Sequence, residues 1–192
     1  CALPISRKEQ KEERRKAILM TALTIFVERG YYETKITDIA SAVPMSTGLL
    51  FHYFESKEDL LKELVIMGVE GTKFTEKLPP MAPEVFFEQF LKMLFDFSSS
   101  EPWVFQMFIL MGQARRPGMP EEARKIALTV NTPKKTALII KQGQESGVFR
   151  EGNPYQMSVT FWAAVQGIIE EMAVDKNFHA PDPKWIVAML RK

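Results

Sequence analysis

Apolar residues recur at three- and four-residue steps ahead of Gly30 and predict an amphipathic helix. Gly30 follows this stripe and predicts the end of the helix. A stripe of this kind is more typical of a buried core than of a ligand site. We therefore expect it to form the core of a small three-helix domain. The repeating positions are Ile18, Leu19, Ala22, Leu23, Phe26 and Val27.

A short helix is predicted next, ending at Pro44, because proline has no backbone N–H and clashes inside a helix. Either Thr34 or Thr37 can cap this helix with a side-chain oxygen. Ile39 and Ala40 supply its buried face. The helix is therefore predicted to pack against the stripe that precedes it.

A second short helix follows after a tight turn. Ser46 is predicted to cap it, Gly48 lies in its first turn, and Leu50, Tyr53 and Phe54 are spaced to face inward or sideways. Two helices joined by so short a turn are the usual build of a DNA-binding motif, whose second helix enters the major groove.

The next helix is longer and begins at Ser56, which is followed by Glu58 and Asp59 in the first turn, where acidic groups are favourable. Prolines at 79, 80 and 83 then predict a linker. We place a domain boundary there. The apolar positions of the long helix are Leu60, Leu61, Leu64, Val65 and Met67.

Beyond the linker the pattern is helical throughout, and no segment has the alternation of a strand. Proline and glycine residues mark the breaks. The sequence therefore predicts an all-α protein. The predicted helices run roughly from Glu84 to Phe97, Pro102 to Ala114, Glu121 to Glu145, Pro154 to Val174, and Pro183 to the end.

Composition narrows the class of protein without identifying it. The formal net charge is +1, with 25 Lys and Arg against 24 Asp and Glu, so charge alone does not indicate nucleic acid. The single cysteine, Cys1, can form no internal disulfide. The start lacks the apolar segment of a signal peptide, and the apolar runs are too short to span a bilayer. We expect a cytoplasmic protein without a metal, a cofactor or a membrane anchor.

Many spaced residues in the N-terminal third resemble the tetracycline-repressor (TetR) family of bacterial transcription regulators. The resemblance implies an all-helical homodimer with an N-terminal helix-turn-helix and a C-terminal domain that binds a small effector and releases DNA. We expect a DNA-binding domain over residues 1–62, a connecting helix to about 77, and an effector-binding and dimerisation domain over 78–192. The residues that carry the resemblance are Ile18, Leu19, Ala22, Phe26, Gly30, Asp38, Ile39, Ala40, Ser46, Gly48, Leu50, His52, Tyr53, Phe54, Lys57, Leu60 and Leu61.

Carried over position by position, the family pattern implies a set of DNA contacts. The chain departs from that pattern at Pro44 in the turn, at Lys35 before the first short helix, and at Leu49 and Phe51, where hydroxyl-bearing residues are common. Leu49 and Phe51 can still make apolar contact with a thymine methyl group. The implied contacts are Lys35, Thr37, Ser46, Thr47, Gly48, Leu49, Phe51, His52, Tyr53 and Lys57.

The C-terminal half is rich in phenylalanine and methionine, side chains that form cores more often than pockets but adapt well to apolar ligands. We hypothesise a pocket for a hydrophobic or aromatic effector. The helix over 154–174 is apolar on more than one face, so we expect it and the segment over 183–192 to pair with their symmetry mates. The hypothetical pocket residues are Phe90, Met93, Phe97, Phe108, Trp162 and Gln166.

Two other functions compete with a ligand-responsive repressor. An enzyme is disfavoured, because the chain has two histidines and neither a glycine-rich phosphate loop nor a nucleophile spaced from a base. A helical adaptor or small-molecule-binding protein without DNA binding is the main alternative. Salt-dependent binding to duplex DNA separates the three.

Overall fold

The computed structural model describes residues 6–73, 80–175 and 177–192, without the side chains of residues 98 and 99. Regular structure in these residues is helical apart from one isolated bridge between Phe149 and Arg191. The all-α prediction is confirmed. Cys1, Pro79 and the end of the predicted connecting helix lie outside the described residues. The helices are α1 (Arg7–Arg29), α2 (Ile36–Ala42), α3 (Thr47–Phe51), α4 (Lys57–Thr72), α5 (Pro83–Ser100), α6 (Pro102–Ala114), α7 (Glu121–Leu128), α8 (Thr132–Glu145), α9 (Pro154–Val174) and α10 (Pro183–Ala188).

The chain packs as two compact units. The first comprises Cys1–Glu70 and Gln106–Ala127, and the second comprises Gly71–Phe105 and Leu128–Lys192. The first unit therefore takes in a segment that the sequence had assigned to the C-terminal domain. The boundary near residue 78 stays a prediction about where the chain divides into domains.

The core of the first unit follows the predicted apolar stripe. Ile18, Ala22 and Phe26 of α1 are fully buried, together with Leu60 and Leu64 of α4. The charged segment ahead of the stripe belongs to the same helix, which begins after Ser6. The Ser6 hydroxyl accepts from the Glu9 N–H at 3.2 Å, and the Ser6 N–H donates to Glu9 Oε2 at 2.7 Å. Such a capping box satisfies free donors at the helix start.

Residues 106–127 complete the core of the first unit. Met107, Leu110, Ala114, Ala123 and Ala127 belong to the same buried cluster as the apolar face of α1. Gly68 of α4 allows the close approach, since an added Cβ would lie 2.4 Å from Met111 Sδ. The N-terminal helices therefore share their core with α6 and α7.

The predicted helix from Glu121 to Glu145 is two helices, α7 and α8, so that prediction is wrong. The break lies before Asn131, whose side chain accepts from the Lys134 N–H at 3.0 Å and caps α8. Asparagine followed by a proline at the second helical position is a helix-start signal. The apolar pattern continued across this signal and concealed it.

A buried polar network fixes α8 against α9. The Thr136 hydroxyl lies 3.0 Å from the Thr132 carbonyl, 2.5 Å from Ser158 Oγ and 2.9 Å from Trp162 Nε1. The carbonyl can only accept and the indole N–H can only donate. The Thr136 O–H therefore donates to Thr132, and the Ser158 O–H donates to Thr136. Each hydrogen of the network then has an acceptor, which suits a buried site.

Helix α10 packs against α5 and α9 of its own chain. Ile186, Val187 and Leu190 are buried there, and the Arg150 N–H donates to the Leu190 carbonyl at 2.9 Å. Ile186 and Leu190 therefore lie in the core of the second unit, and pairing of the segment over 183–192 with a symmetry mate stays a prediction. Trp185 remains 74% exposed.

Candidate nucleic-acid interface and ligand cavity

The start of α2 is capped by a residue other than the predicted threonines. The Lys35 N–H donates to Asp38 Oδ2 at 2.9 Å, and no side chain caps the helix from the N-cap position. The hydroxyl of Thr34 is buried and donates to the Gly30 carbonyl at 2.7 Å, while Thr37 is exposed. The predicted cap by Thr34 or Thr37 is wrong, since Thr34 closes the end of α1 instead.

Helix α3 is held by both of its ends. The Ser46 hydroxyl accepts from the Leu49 N–H at 3.2 Å, as predicted for an N-cap. Leu50 is fully buried, and Phe54, which follows the helix, is 1% exposed. A five-residue helix is unstable alone. The buried side chains of Leu50 and Phe54 therefore fix which face of α3 points outward.

The outward face of α3 and its C-cap His52 carry three of the ten predicted contacts. Gly48, Phe51 and His52 are exposed, with Phe51 at 48%. Nothing lies within 4 Å of a Cβ built on Gly48, so the fold of the free chain does not require glycine there. Thr47 and Leu49 are half-buried. The structure thus places Gly48, Phe51 and His52 together on one short, exposed surface.

Two further predicted contacts have partners inside the chain. Tyr53 is half-buried and packs against the core of the first unit. Lys57 Nζ donates to the carbonyls of Tyr31 and Thr34, both at 2.8 Å, and lies 4.3 Å from the Tyr31 ring centroid. Burial lowers the pKa of Lys57, although Glu33 acts in the opposite direction. No pattern in the sequence indicated these carbonyl contacts.

The basic residues of α1 divide into structural and exposed ones. Arg15 pairs with Glu63 at 3.1 Å, and its guanidinium lies 4.9 Å from the Phe54 ring centroid. Arg14, one residue earlier, lines a surface groove beside Val43 and Met45 of the turn between α2 and α3. Neighbouring residues of one helix point in different directions, so Arg14 and Arg15 have different surroundings.

The six predicted effector residues are divided between the two compact units. Phe108 belongs to the first unit and the other five to the second. Phe90 packs edge-on against Trp162 at 5.3 Å between ring centroids, while the Trp162 indole N–H is bound to Thr136. Gln166 donates to Glu170 at 2.9 Å on its own helix. Packing within and between helices therefore accounts for much of this set.

A surface cavity of about 590 Å³ lies elsewhere in the second unit. Its walls combine apolar side chains with ionisable ones, which suits an amphipathic ligand. None of the six predicted residues is among those that line it. The lining residues are Lys92, Phe95, Asp96, Phe105, Met172, Phe178, His179, Ala180, Pro181, Asp182 and Pro183.

One face of α9 exposes apolar and small residues. Tyr155 and Val159 are 47% and 42% exposed, Ala163 and Gly167 follow at four-residue steps, and space beside Gly167 is open. Leu138 on the adjacent helix α8 is 65% exposed. Contiguous apolar surface of this kind marks interaction sites in soluble proteins.

Across residues 6–73, 80–175 and 177–192, no group of His, Cys, Asp and Glu side chains is placed to hold a metal ion. In the same ranges, none of the helices has the length and apolar character needed to cross a membrane.

Comparison with known proteins points to one family. The family described as bacterial regulatory proteins, tetR family, matches residues 18–64. The HTH-type transcriptional regulator HbdR of Aromatoleum sp. (strain CIB) is 48% identical over 50 residues, which cover 26% of this chain and 22% of HbdR. The HTH-type transcriptional repressor KstR2 of Rhodococcus jostii (strain RHA1) is 39% identical over 62 residues, which cover 32% of this chain and 30% of KstR2. The matches thus span less than a third of each relative.

The similarity of fold extends over nearly the whole chain. The crystal structure of AibR in complex with isovaleryl coenzyme A and operator DNA has a TM-score of 0.74 at 20% identity, covering 93% of this chain and 98% of AibR. The family match covers α2, α3 and parts of α1 and α4, and the shared fold includes the helices that follow. The resemblance inferred from the sequence is confirmed over residues 18–64, which match the TetR family of bacterial regulatory proteins, and the chain as a whole shares the fold of AibR.

Proposed function

We propose that the chain is a ligand-responsive transcriptional repressor that binds a pseudo-palindromic operator as a homodimer and is released by a small hydrophobic effector. The observation that carries this proposal is the outward face of α3, where Gly48, Phe51 and His52 are exposed while Leu50 and Phe54 anchor the helix. The match to regulators over this segment supports DNA binding over the adaptor and the enzyme.

The proposed contacts divide by chemistry. Gly48 lets the backbone approach DNA closely, and Leu49 and Phe51 offer apolar surface to thymine methyl groups. Hydroxyl and amino groups bind the phosphate backbone and set the register of the protein on the duplex. The residues proposed for this second role are Lys35, Thr37, Ser46, Thr47, His52 and Tyr53, whereas the amino group of Lys57 already donates to two backbone carbonyls.

The dimer is proposed to form through α9, with α8 beside it. The exposed apolar face of α9, which includes Tyr155, Val159 and Ala163, is largely uncharged, and Leu138 extends it onto α8. A two-fold interface uses the same patch on both subunits. Trp185 of the C-terminal segment is exposed and available for such a contact, whereas Ile186 and Leu190 are buried.

The effector is proposed to bind in the second unit. AibR was crystallised with both an acyl coenzyme A and operator DNA, so a protein of this fold can bind a small molecule as well as DNA. In the present chain the cavity walled by Phe95, Phe105 and Met172 offers apolar surface beside Lys92 and Asp96. The packed Phe90 and Trp162 pair is the alternative position, which ligand binding would have to open.

We expect His52→Ala and Tyr53→Phe each to weaken operator binding by about tenfold, the value of one lost charge-assisted contact. The first unit should stay folded, because neither side chain belongs to its fully buried set. Fluorescence anisotropy with a labelled duplex measures the affinity, and circular dichroism measures the fold. His179→Ala, a histidine of the second unit, is the matched control and should leave affinity unchanged. Unchanged affinity in both α3 variants would remove these residues from the interface.

A thermal-shift panel of apolar acids and aromatic compounds is expected to include ligands that raise the melting temperature, because binding to the folded state alone stabilises it. Met172→Trp fills the cavity and should abolish the shift. Phe90→Ala should abolish it only if the ligand binds at the aromatic pair. A panel in which no compound stabilises the wild-type chain would count against the effector proposal.

A further inference from the structure

Lys57 stands at the first position of α4, but its amino group reaches back to the loop between α1 and α2. Its Nζ donates to the Tyr31 carbonyl at 2.8 Å and to the Thr34 carbonyl at 2.8 Å. Thr34 directly precedes Lys35, the N-cap of α2. These bonds join the start of α4 to the residues that precede α2, so they close a loop of chain that contains both α2 and α3.

We propose that Lys57 is a positioning residue that clamps the two ends of the helix-turn-helix together, and that it acts on DNA binding through this clamp rather than as a phosphate contact. The inference rests on the proposed DNA-binding function. It concerns how the chain holds α3 in place for that function.

Both carbonyls that Lys57 binds are fixed by the core. The Tyr31 ring packs against Phe26 at 5.3 Å between centroids, and Phe26 is fully buried in α1. Thr34 is 1% exposed, and its hydroxyl donates to the Gly30 carbonyl at 2.7 Å. The lysine therefore ties α4 to a rigid part of the loop, so it can set the position of α2 and, through the turn, of α3.

The ring of Tyr31 strengthens the clamp. Lys57 Nζ lies 4.3 Å from the ring centroid, a geometry in which the ammonium is attracted to the aromatic face. Burial raises the pKa of Tyr31 to about 12, with smaller contributions from Glu58 and Tyr32, so the ring stays neutral at ordinary pH. The site thus combines two charge-assisted hydrogen bonds with a cation–π contact.

Counting donors limits what else Lys57 can do. A lysine ammonium has three N–H groups, and the two carbonyls occupy two of them. One N–H donor remains, so a phosphate could bind to it without breaking the clamp. Phosphate binding would not account for the two hydrogen bonds to the carbonyls. Lys35 provides the contrast in the same motif, because its side chain is exposed.

The test compares Lys57→Met with Lys35→Met on a duplex selected from a random-sequence library by the wild-type protein. Each phosphate contact contributes about 0.9 to the slope of log affinity against log salt. Lys57→Met is expected to weaken binding by about tenfold at every salt concentration and to leave the slope of log affinity against log salt unchanged. The reason is that only a minor population of the variant would hold α3 in the arrangement that binds DNA. Lys35→Met, the matched control, should lower the slope by about 0.9.

Hydrogen exchange supplies the second measurement. In Lys57→Met the amides of α2 and α3 should exchange faster than in the wild type, whereas in Lys35→Met they should not. A slope reduced by about 0.9 in Lys57→Met with unchanged exchange would overturn the clamp and make Lys57 a phosphate contact.

If Lys57→Met does not fold, the wild-type protein still decides the question by NMR of the lysine ammonium group. The clamp predicts scalar couplings from Lys57 ¹⁵Nζ to the carbonyl carbons of Tyr31 and Thr34, in the free protein and when DNA is bound. Loss of these couplings on DNA binding would overturn it. If the wild type bound no duplex at all, the proposed function would fail, and the couplings in the free protein would still test the clamp.

Discussion

Gly48→Ala is expected to leave the first unit as stable as the wild type, or up to about 1 kcal/mol more stable, and to weaken operator binding by at least about tenfold. The free chain has room for the methyl group, since nothing lies within 4 Å of a Cβ at this position. Glycine in a helix lowers the stability of the fold relative to alanine. The free protein shows no steric reason for glycine at this position. The proposed reason is the close approach of DNA to α3.

The measurement pairs anisotropy titration of the selected duplex with thermal unfolding of the same sample. Gly71→Ala, near the end of α4, is the control, because space beside Gly71 is also open but no DNA contact is proposed there. It should leave the affinity unchanged. If Gly48→Ala binds as tightly as the wild type, Gly48 is merely a glycine near a helix start, and the proposed docking of α3 loses its closest contact.

Gly143→Ala is expected to destabilise the second unit by roughly 3 kcal/mol, at the upper end for overpacking a core. A Cβ at Gly143 would lie 2.2 Å from Cδ2 and 2.6 Å from Cε2 of Phe149, whose side chain is 1% exposed. The ring cannot simply withdraw, because the Phe149 N–H donates to the Gly143 carbonyl at 3.0 Å and the ring packs against Phe87.

Differential scanning calorimetry checks this prediction. For a chain of this size the loss corresponds to a melting temperature lower by roughly 6–12 °C. Gly71→Ala belongs to the same unit and should leave the melting temperature unchanged or slightly higher. A variant of Gly143 that melts with the wild type would show that α8 and the segment containing Phe149 are not packed as closely as described.

The N-terminal helices were predictable because their signals are local. The spacing of Ile18, Ala22 and Phe26 follows the helical repeat, Ser46 has the chemistry of an N-cap, and Pro44 cannot lie in the interior of a helix without breaking it. Each of these determines structure through its immediate neighbours. The order of elements up to α4 and the burial of the stripe therefore follow from the sequence.

Long-range contacts were not predictable in the same way. The acceptors of Lys57 are backbone carbonyls more than twenty residues earlier, and any residue type supplies a carbonyl. The Thr34 hydroxyl likewise donates to the Gly30 carbonyl and does not cap α2, although its residue type suits a cap. Periodicity shows which face of a helix is apolar but not which element covers it.

The C-terminal half shows the same limit. Phe90 and Trp162 were grouped by residue type, and the structure does bring these two together. Phe108 falls in the other compact unit, and the cavity is lined partly by the segment Phe178–Pro183, which has no periodic pattern. Composition identified the kind of side chain that binds apolar ligands, while the position of a cavity depends on how helices and loops meet.

Selection of duplexes from a random-sequence library by the wild-type protein, followed by binding at several salt concentrations, tests the central claim most directly. The account predicts enrichment of an inverted repeat, one protein dimer bound per duplex, and an affinity that falls linearly with salt on logarithmic axes. Recovery of no inverted repeat, with binding that is absent or independent of salt, would contradict it.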